Sequence, residues 1–150
     1  MKEEPLGEIT LRKYEKPYQL SFRELVKKIC LGLGLLQPGD SRDIVVDILL
    51  VLLNAKKQKK EMNLEEIKKG VIELRNKANL ELKGIADSNI RRQLKKLSNI
   101  FIVEKKANKY RVSEFESLKK IFEEKIEKFY IVSIVERIKE YLAALEKTEK

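Results

Sequence analysis

Between Ile44 and Leu53 the chain is apolar on nearly every side. Ile44, Val45, Ile48, Leu49, Leu52 and Leu53 fall on one broad helical face, and Val46, Leu50 and Val51 widen it. A helix apolar around most of its girth belongs at the centre of a core. Asp40-Ser41-Arg42-Asp43 sets acidic groups against the positive end of its dipole. Asp43 and Asp47 lie four apart, and with no clustered carboxylates or histidine nearby they read as a cap and a solvated edge rather than metal ligands. Upstream, Ser21-Phe-Arg-Glu24 has the form of a capping box, opening a helix with Leu25, Val26 and Ile29 as its stripe and Phe22 at its entrance. That helix ends about Gly32 to Gly34, before a turn at Gln37-Pro38-Gly39-Asp40. Asn63-Leu-Glu-Glu66 is a second capping box, leading through Ile67, Val71 and Leu74 to about Lys77.

A third pattern runs from Ile85 to Val112. With Ser88 or Asp87 as its cap, a short helix over 88–99 carries Ile90, Leu94 and Leu97 on one face. Beyond Asn99 the period changes to two: Phe101, Val103 and Lys105 point one way, Ile102 and Glu104 the other. Lys106-Ala107-Asn108-Lys109 then supplies a hairpin turn before Tyr110-Arg111-Val112. Ser113-Glu-Phe-Glu116 is a third capping-box pattern and opens the longest element. Phe115, Leu118, Phe122 and Phe129 form one stripe on it; Ile131, Ile134 or Val135, Ile138, Leu142 and Leu145 form a second, at roughly heptad spacing. The stripes are out of phase around Tyr130 to Ser133, which predicts one helix with a phase shift or two with a bend. So much apolar surface requires a partner, either the N-terminal helix of the same chain or a second copy. At the other end, Ile9 and Leu11 alternate with polar residues between Pro5 and Pro17, predicting a short strand or extended arm. The fold class is therefore mainly α with a small β-hairpin.

Composition narrows the chemistry. Of 150 residues 43% are hydrophobic and 38% charged, which excludes a disordered chain. There is no histidine, the commonest general base and metal ligand, and the one cysteine, Cys30, cannot form an internal disulfide. A reducing, cytoplasmic setting is expected, with no secretory signal in MKEEPLGEIT and no apolar run long enough to span a bilayer. No Ser-His-Asp, Cys-His, zinc-ligand or phosphate-loop pattern occurs, and the Gly32-Leu-Gly34 pair follows no strand. An enzyme is not expected, and no cofactor is called for.

The net charge of +9 is localised: residues 44–112 carry seventeen basic and eight acidic side chains, while the two flanks together sum to zero. A composition rich in lysine, glutamate and isoleucine is common in hyperthermophile proteins, but that alone predicts balanced charge throughout. A local excess is the footprint of a polyanion-binding surface. The outward face of the 88–99 helix holds Ser88, Arg92, Lys95 and Asn99, flanked by Asn89, Arg91 and Lys96. Arginine and lysine donate to guanine edges or phosphates, and asparagine can pair with adenine. Lys56, Lys57, Lys59 and Lys60 either touch phosphate or suit the negative end of their helix.

On these residues the segment resembles the recognition helix and wing of a winged helix-turn-helix domain, the fold of many bacterial and archaeal transcription regulators. The resemblance implies a first helix over 42–58, a second over 64–77 and a reading helix over 88–99 whose Ser88, Asn89, Arg91, Arg92, Lys95 and Lys96 enter the major groove. It also implies a wing over 101–112 that brings Lys105, Lys106, Asn108, Lys109 and Arg111 to the flanking backbone or minor groove. Two departures stand out: Ala107-Asn108 replaces the glycine common in such turns, and the link Asn79 to Asp87 is longer than a tight helix-turn-helix connection. The expected organisation is an N-terminal arm and helix over 1–41, a winged-helix domain over 42–112 and a C-terminal helix over 113–150. The expected partners are double-stranded DNA and a second copy, joined as a homodimer through the C-terminal helix. Sequence-specific regulation of transcription is the leading reading. The other is a winged-helix interaction module of a transcription, replication or RNA-processing complex.

Overall fold

The computed structural model describes residues 3–149. The chain is mainly helical with one small antiparallel hairpin. Its elements are α1 (Phe22–Gly32), α2 (Ile44–Lys56), α3 (Leu64–Lys77), α4 (Asp87–Asn99), β1 (Val103–Lys106) and β2 (Lys109–Val112), then a 3-10 turn (Ser113–Phe115), α5 (Leu118–Ile121), a π-helical stretch (Phe122–Tyr130) and α6 (Ile131–Thr148). Every residue of α2 from Ile44 to Leu53 is buried, and α1, α3, α4 and β2 all pack against it. Around α2 gather Val26 and Cys30, Ile67 and Val71, and Ile90, Leu94 and Leu97. Of the expected stripe of α1, Val26 faces inward together with Cys30, while Leu25 is exposed, as is Phe22 at the helix entrance. Burial pushes the Cys30 thiol up to about 12, leaving it unreactive.

The solvated edge expected at Asp43 and Asp47 is in fact a buried ion network, with Asp47 fully inaccessible. Arg75 of α3 donates from one nitrogen to Asp43 at 3.0 Å and to Asp47 at 2.6 Å. Arg23 of α1 grips Asp47 with two bonds of 2.5 and 3.1 Å. That bonding raises the Arg23 guanidinium above its ordinary value against the pull of desolvation. The Nε of Arg75 reaches on to the Glu81 carbonyl at 2.5 Å, in the loop leading to α4. Charges removed from water need partners of this quality to be tolerated.

The first two capping boxes form, Ser21 with Glu24 and Asn63 with Glu66. The third does not: Ser113 donates its hydroxyl to the Phe101 carbonyl at 2.7 Å, and the helix starts later with Ser117 as its cap. The α4 cap is Ala86, without a side-chain bond, rather than Ser88 or Asp87. All four helices α1 to α4 end in the same way. The residues Gly34, Lys59, Asn79 and Phe101 take positive φ, and the next amide returns to a carbonyl five residues back: Leu35 to Cys30, Lys60 to Ala55, Leu80 to Arg75 and Ile102 to Leu97. These are Schellman closures, which ordinarily favour glycine. Lys59 and Phe101 occupy them at a backbone cost. For Phe101 that cost is offset by edge-on contacts with Phe129 and Tyr130, ring centroids 6.1 and 5.4 Å away.

The C-terminal element is one continuous helix, and its phase shift has a cause. From Phe122 to Tyr130 the winding is π-helical, the Ile131 amide reaching Ile126 five residues back. Ile121 and Ile126 are buried and Ile131 is partly so, a spacing of five that matches an i→i+5 ladder. The expected stripe of Phe115, Leu118, Phe122 and Phe129 is thereby displaced, and Phe129 lies 58% exposed. Beyond it, α6 buries no residue. The arm runs extended: the Arg12 amide bonds the Gly32 carbonyl at 2.8 Å, and the Tyr130 hydroxyl receives the Glu8 amide at 3.0 Å. Among the described residues no helix is long and apolar enough to cross a membrane.

Two stability outcomes are expected, both read by urea unfolding of the full chain. Arg75→Met leaves buried Asp47 to Arg23 alone and Asp43 to looser approaches of Arg23 and Lys27, 3.7 and 3.8 Å away, and should cost about 3–5 kcal/mol; a loss under ~1 kcal/mol would mean the network does not hold the helices together. Lys59→Gly relieves an exposed left-handed residue and should stabilise by about 1 kcal/mol.

Candidate nucleic-acid interface

The inward face of α4 is locked against α2 and α3 by Ile90, Leu94 and Leu97, all fully buried. The face that remains is set by helical geometry: Ser88, Arg91, Arg92, Lys95 and Asn99 are exposed. Arg91, Arg92 and Lys95 pair with no carboxylate among the described residues. Elsewhere charged side chains are commonly matched, as with Lys28 and Glu15, Lys120 and Glu116, or Arg137 and Glu140.

Two members of the expected reading set do other work. Asn89 is half-buried; its Nδ2 donates to the Gly84 carbonyl at 2.7 Å and its Oδ1 receives Arg92 at 2.6 Å and Gln93 at 3.2 Å. It therefore ties the loop before α4 to the helix and holds Arg92 in place, with its amide already committed. Gly84 sits at φ +85, and a Cβ there would lie 3.0 Å from the Asn89 Nδ2, so this turn suits glycine on both counts. Lys96 is half-buried as well, its ammonium 3.2 Å from the Leu35 carbonyl in the segment after α1.

The hairpin pairs Val103 with Val112, Glu104 with Arg111, Lys105 with Tyr110 and Lys106 with Lys109. Alternation starts only at Val103, because Phe101 has left extended geometry. Tyr110 and Val112 face the core, and Tyr110 also makes an antiparallel bridge to Met62, which joins the hairpin to the entrance of α3. At the tip Ala107 and Asn108 both have positive φ, 50° and 63°. That is the two-residue turn whose twist matches a hairpin, formed here without glycine. Lys105, Lys106, Asn108 and Lys109 are exposed around it. Lys105 leans over the Tyr110 ring, 5.6 Å from its centroid. Arg111 is the exception, bonded to Glu104 and stacked 4.8 Å from the Phe115 ring, so it braces the hairpin base.

What sequence reasoning missed lies one layer below this surface. Arg75 holds the α3–α4 loop through Glu81, and Lys68 of α3 meets Asp87 at the start of α4, 3.1 Å apart. The available signal was a charge inside each apolar pattern, Asp47 in the α2 run and Arg75 four residues after Val71. Comparison of the chain with protein-family models, with characterised proteins and with solved structures finds no match.

Asn89→Ala should lower stability by about 1 kcal/mol through the lost Gly84 bond and broaden the NMR signals of the loop around Gly84. An unchanged unfolding midpoint with a sharp loop spectrum would return Asn89 to the set of free surface donors.

Proposed function

We propose that the chain is a winged-helix protein that binds double-stranded DNA sequence-specifically, as a regulator of transcription. The observation that carries this reading is the exposed α4 face, where Arg91, Arg92 and Lys95 have no carboxylate partner among the described residues, beside a hairpin tip bearing Lys105, Lys106 and Lys109. The order α2, α3, α4, hairpin supports it, as does an α4 whose apolar side is buried and whose basic side is free. In this reading α4 lies in the major groove. Arg92, steadied by Asn89, presents its remaining donors to a base edge, and the lysines of the hairpin contact phosphate. Lys96 and Arg111 serve the interface by bracing it.

The face of α6 fits a two-fold partner. Val135, Ile138, Leu142 and Leu145 are 41–54% exposed and follow at spacings of three, four and three, the seam of a helical pair. A dimer would set two reading helices on paired half-sites. The same exposed stripe also favours the second reading, an interaction module that receives a helix of another protein.

Selection from random duplex DNA at near-physiological salt decides between them. The expected outcome is an enriched two-fold motif, with Arg92→Ala relaxing one position at a cost of about 1–3 kcal/mol. Lys106→Ala should weaken all sequences alike and flatten the salt slope by about one unit. A monomer that retains no DNA would replace this reading with the interaction module.

A further inference from the structure

Between the arm, the end of α1, α2 and the first turns of the C-terminal helix lies a cavity of about 480 Å³. Leu11, Ile29, Leu33, Leu49, Leu118 and Phe122 form most of its wall. A space of this size is typical of sites for small organic molecules. It is about three times the ~150 Å³ that suffices for benzene in an apolar interior.

The polar groups around it are already engaged or belong to solvent. The Arg12 guanidinium donates to the Leu31 and Leu36 carbonyls at 2.9 and 3.2 Å and to Gln37 Oε1 at 2.7 Å. None of those three residues lines the cavity, so the charge of Arg12 is committed outside it. The Gly32 carbonyl takes the Arg12 amide at 2.8 Å. Lys119 is a surface lysine, its side chain 86% exposed. Among the described residues no buried side-chain nitrogen or oxygen lacks a partner. Water held inside a protein needs several polar partners, and an ionised group brought there without one is costly. An uncharged hydrocarbon needs neither.

The Arg12 bonds pin the arm to the end of α1 and to the segment after it, so this wall stands without a ligand and little ordering opposes binding. We infer that this cavity binds a compact, uncharged, hydrocarbon-like molecule of one or two rings, held by burial of apolar surface alone. Such binding is independent of what the basic face contacts, yet it would be felt at α4. Leu35 and Ile102 also line the cavity. The Leu35 carbonyl holds Lys96 of α4, and the Ile102 amide closes that helix on the Leu97 carbonyl.

The test is NMR titration of the isotope-labelled full chain with naphthalene, beside 2-naphthoate, the same rings carrying an anionic group. Saturable shifts are expected at the Leu33, Leu49 and Leu118 methyls and at the Ile102 amide, with 2-naphthoate roughly 10-fold weaker or more. A Cβ at Gly32 meets only the Arg12 carbonyl, at 3.6 Å, so Gly32→Leu should fold normally, take up part of the space and weaken naphthalene about 10-fold. Leu11→Trp, on the half-exposed arm, should do the same. Absence of saturable shifts in the folded wild type would overturn the site. So would 2-naphthoate binding as tightly as naphthalene, indifference to both substitutions, or loss of binding in Ile138→Glu, which would place the probe on the open face of α6. Shifts at the same methyls on dilution of the protein alone would give the cavity to a second copy instead.

Discussion

Four charged side chains meet where α1, α2 and α3 come together, largely out of water, and the setting of these helices on one another depends on that meeting. Asp47 projects from α2 and Asp43 from the cap position before it, Arg23 from α1 and Arg75 from α3. An apolar contact tolerates sliding by a fraction of a turn, whereas a forked guanidinium bond does not. The helix α2 is apolar on nearly every side and by itself gives its neighbours little reason to choose one rotation over another. The ion network supplies that choice. Because Arg75 also holds the Glu81 carbonyl, the choice passes along the loop to Gly84 and Asn89 and so to the orientation of α4.

Charge is used in two ways in this chain. Within the core and along the C-terminal helix, cations are set against carboxylates, as Lys120 is against Glu116 and Arg137 against Glu140. On the exposed face of α4 and at the hairpin tip they form no ion pair among the described residues, and mutual repulsion there is a cost that the fold bears. The cost is small while the side chains are solvated. In the DNA-binding reading we propose, it would be recovered on contact with the polyanion, where displaced counterions add to the attraction. Bracing residues separate the two regimes: Asn89, Lys96 and Arg111 each spend their donors on the protein and leave the exposed residues beside them to face outward.

Periodicity made the helices legible, α2 to α4 within a few residues, because each has an apolar face that burial must satisfy. The hairpin was legible from its alternation and its turn, although Phe101 and Ile102 were read as strand when a left-handed residue had already closed α4. What could not be read was pairing at a distance. Asp47 interrupts an apolar run and Arg75 interrupts an apolar stripe, but nothing local says that the two meet 28 residues apart. The π-helical stretch was visible only as a disagreement of phase between two stripes. Its spacing of five, Ile121 to Ile126 to Ile131, belongs to neither the α-helical nor the strand period. At the basic face the residue types were legible and their division into free and bracing members was not, since that depends on a loop carbonyl at Gly84 and another at Leu35.

The absence of histidine gains meaning once Cys30 is placed. The side chain that ordinarily changes charge near neutrality does not occur in this sequence, and the one thiol is buried and raised far above that range. The side-chain charge of the molecule is therefore nearly constant across the acidities a cell produces. A protein built in this way is blind to proton concentration and responsive to ionic strength, so whatever its basic face attracts will be released by salt and hardly at all by a shift in pH.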